Sequence, residues 1–145
     1  MEEIVRLRIP ARPVFVGVAR TVVVSAATTI ADLDEERLED LRIAVSEACT
    51  NAVEANDERG ESDSVTIQCL LDTDRFEVRI EDRGAGLDTA DAAARRDLRA
   101  LAEAAAERGW GIQLIRALVD DVEFVSAGTG TAVRLVVRWA NRVKA

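Results

Sequence analysis

The chain has 145 residues, which is enough for one domain with a buried core. Its formal net charge of −8 argues against nucleic acid or anionic lipid as the main partner, because both bind to basic protein surfaces. It contains no histidine, which excludes a Ser-His-Asp triad, a histidine-based metal site and phosphorylation of the chain on its own histidine. The only lysine is Lys144, so a phosphate loop of the G-x-x-x-x-G-K-[ST] type is excluded as well.

The cysteine content and the hydropathy pattern favour an intracellular protein. Cys49 and Cys69 are too few for a disulfide framework and too far apart in sequence for a metal site, so we expect buried, reduced thiols. No apolar run approaches the roughly 20 residues of a membrane span. We therefore expect a cytoplasmic protein that forms a single domain over residues 1–145, with no membrane and no direct nucleic-acid partner.

The chain begins with a predicted strand and an ambiguous segment. Residues 4–9 (IVRLRI) alternate and end at Pro10, which predicts an edge strand with Val5, Leu7 and Ile9 on one face. In residues 13–29 the spacing of Phe15, Val18, Ala19 and Val22 predicts a helix. The run VVV at 22–24 has the propensity of a strand. We nevertheless predict a helix for this segment.

A long helix is predicted over residues 34–57. Asp34 can cap it, and an apolar stripe follows along Leu38, Leu41, Val45, Ala48 and Ala52. Glu47 and Asn51 stand one turn apart on another face, beside small alanine side chains. An acid and an amide are thus placed together where a ligand could reach them.

An antiparallel hairpin is predicted from residues 65–71 and 75–82. In its second strand, Phe76, Val78, Ile80 and Asp82 share one face, and Glu77, Arg79 and Glu81 share the other. A carboxylate therefore ends the row that we expect to be buried.

The last third of the chain contains a segment poor in large apolar residues and then a helix and two strands. Residues 87–108 fit either a mobile lid or a solvated surface helix. A helix is predicted from paired glycines over residues 109–119, and a second hairpin from residues 122–127 and 131–139. The sum is an α/β two-layer sandwich, with a mostly antiparallel sheet of about five strands covered on one side by about three helices.

Four segments together resemble the nucleotide pocket of the GHKL ATPase superfamily, which has the Bergerat fold. RIAVSEACTNAVEA (42–55) looks like the N box, EDRGAGLD (81–88) the G1 box, RGWGIQLIRALVDDVEF (108–124) the G2 region and GTGTAVRL (128–135) the closing segment. The order of these segments most resembles that of the anti-sigma factor serine kinases of partner-switching systems. This resemblance implies ATP and Mg²⁺ as cofactors, a sigma factor and a STAS-type anti-anti-sigma protein as partners, and a homodimer as a further option.

The resemblance also implies roles for individual residues. Asp82 matches the aspartate that reads the adenine amine, Thr131 the threonine that helps to hold the base, and Gly84 and Gly86 let the backbone pass close to the purine. Asn51 matches the magnesium ligand, and Glu47 matches the base that takes a proton from the acceptor serine.

The phosphates are expected at the start of the helix in the G2 region. The N–H groups of Gly109, Trp110 and Gly111 can bind them without a lysine loop, and Arg108 either adds charge there or faces solvent. Glu107 stands where the family often has a glycine, and this acid favours an alternative function, a non-catalytic Bergerat-fold module that sequesters a partner. A fragment of a sensor histidine kinase fits less well, because the chain has no histidine.

Overall fold

The computed structural model describes residues 1–30, 32–58, 64–82, 111–127 and 130–139. Strand β1 spans Glu2–Pro10, a short 3-10 turn (Pro13–Phe15) leads into helix α1 (Val16–Ile30), and helix α2 spans Glu35–Glu58. Strands β2 (Ser64–Leu71) and β3 (Arg75–Asp82) follow. Helix α3 (Gly111–Leu118) precedes strands β4 (Asp121–Ala127) and β5 (Gly130–Arg138).

The strands form one sheet in the order β1-β2-β3-β5-β4, and every neighbouring pair is antiparallel. Strand β1 is therefore an edge strand, as its terminal proline predicts. The apolar side of the sheet packs against the helices. The predicted α/β two-layer sandwich is confirmed.

Helix α2 supplies the largest part of the helix layer, and its start and its buried stripe follow the sequence closely. The backbone N–H of Arg37 donates to Asp34 Oδ1 at 2.8 Å, which satisfies one of the free donors at the helix start. Leu41 and Val45 are fully buried, and Ala48 is 1% exposed. Burial of this stripe against the sheet, rather than helix propensity, holds α2 in place.

Helix α1 forms where it is predicted, but its buried face differs from the expected one. Val16, Ala19, Val23 and Ala27 face the core, whereas Val18 is 45% exposed. The run VVV at 22–24 does not form a strand, because packing of one helical face outweighs the local β preference. Its middle residue, Val23, belongs to the core and offers no surface to a partner.

Both cysteines are free and fully buried. Burial raises the pKa of the Cys49 thiol and of the Cys69 thiol to about 12 in each case, because the thiolate loses its hydration. The prediction of buried, reduced thiols agrees with this. Among the residues that the structure describes, no helix is both long and apolar enough to cross a membrane.

Glu77 departs from the sequence prediction, because it is fully buried on the side of the sheet away from the helices. Arg79 Nε lies 2.7 Å from Glu77 Oε2, and Arg134 Nη1 lies 3.1 Å from Glu77 Oε1. Arg134 also donates to Glu123 Oε1 at 2.6 Å and 2.9 Å. Two arginines from neighbouring strands thus neutralise the carboxylate and cover it.

Replacement of Glu77 by alanine is expected to lower the free energy of unfolding by about 2 kcal/mol, because both arginines lose a buried anionic partner. The matched control is Glu123→Ala, which removes a carboxylate that is 57% exposed from the same network and should cost less than about 1 kcal/mol. Urea unfolding of both variants measures the difference. Equal losses would contradict the assignment of Glu77 as the buried centre of this network.

Candidate functional site

Glu47 and Asn51 lie on one unbroken stretch of α2. Both side chains are half-buried, and residues at this spacing have Cβ atoms about 5–6 Å apart. The adjoining Ala48 is buried and Ala52 is half-buried, so neither carries a large side chain over the pair. The two polar groups therefore reach solvent together from the margin of the core stripe.

The direction of α2 is fixed by a contact near its first turn. Arg37 Nη2 donates to the carbonyl oxygen of Arg138 at 3.2 Å, and Arg138 pairs across the sheet with Arg75, the first residue of β3. Helix α2 thus begins over the start of β3, and it packs against that strand. We refer to this end of the sandwich as the Arg138 end and to the opposite one as the Asp82 end.

From this contact onward, α2 up to Asn51 and β3 up to Asp82 have similar lengths. From Arg37 to Asn51 the helix rises by about 21 Å, at 1.5 Å per residue. From Arg75 to Asp82 the strand extends by about 23 Å, at 3.3 Å per residue. Glu47 and Asn51 therefore lie toward the Asp82 end of the sandwich.

Asp82 closes the buried row of β3, as the alternation predicts. It is 2% exposed, and the row before it consists of Phe76, Val78 and Ile80, each 1% exposed or less. The backbone register pairs Asp82 with Thr131 of β5 on one side and with Val65 of β2 on the other. A buried carboxylate thus ends an apolar strand face next to the predicted threonine position.

Helix α3 packs against α2. Asn51 follows Arg37 by about four helical turns, so the two side chains leave α2 on nearly the same side. Arg37 contacts Asp120, which follows α3 after Val119. Gly111 is the first residue of α3 and is buried. The helix is about 12 Å long from Gly111 to Leu118.

Several predicted site residues lie outside the described part of the chain. These are Gly84, Gly86, Arg108, Gly109 and Trp110, together with the predicted lid at 87–108. Of the predicted phosphate-binding glycines, Gly111 is described, as the first residue of α3. For Thr131 the structure gives the backbone position.

The donor set of the described residues suits a magnesium ion that is held mainly by phosphate. Within the described ranges, no group of three or more acidic, cysteine or histidine side chains could hold a metal by itself. Mg²⁺ usually keeps several waters and takes one or two protein oxygens in addition to substrate phosphates. A half-buried amide oxygen on α2, such as that of Asn51, fits this type of coordination.

Comparison with known proteins decides the family. The profile of the histidine kinase-like ATPase domain matches residues 9–137. The chain belongs to the histidine kinase-like ATPase family. The resemblance to GHKL anti-sigma kinases is thereby confirmed, because relatives of this ATPase carry the name serine-protein kinase RsbW.

Two of these relatives align with most of this chain. The protein from Bacillus pumilus is 35% identical over 97% of this chain and 88% of its own length. The protein from Listeria monocytogenes serovar 1/2a is 34% identical over 85% of this chain and 80% of its own length. Both proteins are named serine-protein kinase RsbW.

The fold of this ATPase also matches a solved structure, that of the RsbU and RsbW domains of Rv1364c from Mycobacterium tuberculosis. The TM-score is 0.64 at 19% identity, and the match covers 93% of this chain and 32% of that longer one. At this identity the likeness establishes the architecture alone.

Sequence reasoning missed Arg37 and Asp120, which connect the two helices that flank the site. Arg37 belongs to the exposed first turn of α2, and Asp120 reads as a turn residue before β4. No local periodicity links two residues so far apart in the chain. Paired acids after a predicted helix (Asp120 and Asp121) are the only sequence signal there.

Proposed function

We propose that this ATPase is an anti-sigma factor serine kinase, which binds a sigma factor and uses Mg-ATP to phosphorylate a serine on a STAS-type anti-anti-sigma protein. The observation that carries the proposal is the position of Glu47 and Asn51, one turn apart on α2 and toward the Asp82 end of the sandwich. The family of serine-protein kinases to which its relatives belong supports the same reaction.

In this proposal Asp82 recognises the adenine. A carboxylate is an acceptor of hydrogen bonds, so Asp82 at the end of the apolar strand face can bond to a base with an exocyclic amine and discriminates against a base without one. Thr131, paired with Asp82 across the sheet, helps to hold the base. Gly84 and Gly86 complete the purine pocket, because their lack of side chains lets the backbone approach the ring.

The phosphates are held at the start of α3. The N–H groups of Gly109, Trp110 and Gly111 supply hydrogen-bond donors and the positive end of the helix dipole, and Arg108 adds charge. Asn51 contributes one oxygen to magnesium. When bound, that ion neutralises charge on the phosphates and fixes their orientation.

Glu47 is the proposed base. It takes the proton from the serine hydroxyl of the partner as the serine oxygen bonds to the γ-phosphorus, and ADP leaves with the electrons of the broken bond. Its half-buried position on the helix margin leaves it open to a hydroxyl group from outside the chain. Glu47 therefore affects the rate of phosphate transfer to the serine rather than the affinity for the nucleotide.

We further propose that residues 1–145 work as a single cytoplasmic domain that requires no membrane or nucleic acid. The charge of −8 suits protein partners with basic surfaces. The homodimer implied by family resemblance would use the sheet side and α1.

A second candidate is a non-catalytic module that sequesters its partner, with nucleotide as a structural ligand or absent. Glu107 favours it, because an acid beside the phosphate segment repels the ligand. Both candidates predict partner binding, but only the kinase predicts transfer of phosphate to a STAS protein.

Thermal unfolding with and without Mg-ATP tests the nucleotide part of the proposal. A ligand at 100 times its Kd stabilises the folded state by about 2.7 kcal/mol, which corresponds to a rise of several degrees in Tm. Mg-GTP serves as the control and should give a smaller rise. No rise at millimolar Mg-ATP, together with no labelled phosphate on a STAS protein, would exclude the kinase.

A further inference from the structure

A three-residue contact lies at the Arg138 end, away from the proposed site, and we call it the Asp120 clamp. It consists of Arg37, Asp120 and the main chain of Arg138. Asp120 Oδ2 accepts from Arg37 Nη2 at 2.7 Å and from the backbone N–H of Arg138 at 2.6 Å. Arg37 Nη2 also donates to the carbonyl oxygen of Arg138 at 3.2 Å, so all three residues hold one another.

The Asp120 clamp joins the two helices that carry the proposed site to the same point of the sheet. Arg37 belongs to the first turn of α2, whose later turns carry Glu47 and Asn51. Asp120 follows α3 after Val119, and its own N–H donates to the carbonyl oxygen of Val136 in β5 at 2.9 Å. The C-terminal end of α3 is thus fixed to β5 and to α2 at once.

Apart from the Asp120 clamp, helix α3 is held within the described residues by packing against α2 and the core. It has eight residues, and its buried side chains are those of Ile112 and Ile115. A helix of this length spans about 12 Å, so a tilt of about 10° at its C-terminal end would displace its first residue by about 2 Å. A displacement of that size matters for phosphate binding, because catalytic geometry tolerates errors of well under about 1 Å.

We propose that the Asp120 clamp sets the orientation of α3 relative to α2, the helix that carries Asn51, and thereby sets the affinity for the phosphates of Mg-ATP. This inference rests on the proposed function, because it requires that the start of α3 binds phosphate. Arg37 and Asp120 are positioning residues, since neither is at the Asp82 end. Their side chains are 35% and 40% exposed, so the contact contributes little to global stability, and variants should remain folded.

The test compares Asp120→Asn with Asp121→Asn in the full chain. Asp121 is the next residue, is 54% exposed and pairs with the side chain of Arg138 at 3.3 Å, but it does not reach α2. Asp120→Asn and Arg37→Gln are each expected to weaken Mg-ATP binding by about 3- to 30-fold, a range typical of residues that couple to a distant site. The affinity of the double variant for Mg-ATP should fall by no more than that of the weaker-binding single variant, because both residues act through one contact.

Calorimetric titration with Mg-ATP measures these affinities, and thermal unfolding without nucleotide measures stability in parallel. Support requires a loss of affinity in Asp120→Asn that Asp121→Asn does not show, at a similar Tm for the two variants. Arg37→Lys, which keeps a cationic donor, should retain more affinity than Arg37→Gln. If the parent binds Mg-ATP and Asp120→Asn binds it equally well, the inference is wrong while the proposed function stands. If the parent does not bind Mg-ATP, both are wrong.

Discussion

Replacement of Glu47 by glutamine is expected to slow phosphate transfer to the STAS-type protein by about 10²- to 10⁴-fold, the usual contribution of a placed general base. Glutamine keeps the size of the side chain but cannot accept the hydroxyl proton. Mg-ATP affinity should stay within about two-fold of the parent, because the lost interaction belongs to the transition state. Transfer of labelled phosphate under single-turnover conditions, beside a binding titration, separates these two effects.

The matched control for this variant is Glu39→Gln, the same substitution on the same helix. Glu39 is exposed, and it contacts Arg42 within α2 at 3.4 Å, so its loss removes only a weak surface ion pair. Transfer by Glu39→Gln should equal that of the parent. If Glu47→Gln also transfers at the parental rate, another group takes the proton and the role of Glu47 is wrong.

Replacement of Asp82 by asparagine is expected to reduce Mg-ATP affinity by about 10- to 100-fold, since a hydrogen bond to a buried charged group contributes about 1.5–3 kcal/mol. Asparagine has the same shape, but its neutral amide oxygen is a weaker acceptor for the adenine amine than a carboxylate oxygen. Preference for Mg-ATP over Mg-GTP should fall as well. Titration of both nucleotides measures the change in affinity and in selectivity.

Glu81→Gln is the control for Asp82→Asn, because Glu81 is the preceding residue and the alternation of β3 puts it on the opposite face of the sheet. It should bind Mg-ATP as the parent does. Thermal unfolding of both variants without nucleotide shows whether Asp82→Asn is folded. A folded Asp82→Asn that keeps the parental affinity and selectivity would contradict adenine recognition by Asp82.

The sequence predicts the parts of the site that depend on local periodicity. Alternation along β3 places Asp82 in the buried row, and the structure leaves it 2% exposed. Helical spacing places Glu47 and Asn51 on one side of α2, and the cap at Asp34 starts that helix where predicted. In each case residues within one element determine the outcome, so the pattern can be read without knowledge of the fold.

Contacts between distant elements could not be predicted in this way. The burial of Glu77 depends on Arg134, which reaches it only because β3 and β5 are neighbours in the sheet. The contact between Arg37 and Asp120 depends in the same way on how α2 and α3 pack together. The face of α1 also follows from packing, because several small and branched residues allow more than one buried side. The predicted phosphate segment before Gly111 and the glycines of the G1 box lie outside the described residues.

The separation of Glu47 from the core has an evolutionary consequence. Glu47 is half-buried and stands outside the core cluster, so we expect its replacement to cost little stability, whereas Asp82 is enclosed in the sheet. A single nucleotide change in its codon turns glutamate into glutamine. By that route a lineage could lose phosphate transfer and retain fold, nucleotide pocket and partner surface. Under the role proposed for Glu47, a protein that only sequesters its partner is one mutational step from the kinase, and we expect selection on stability not to oppose that step.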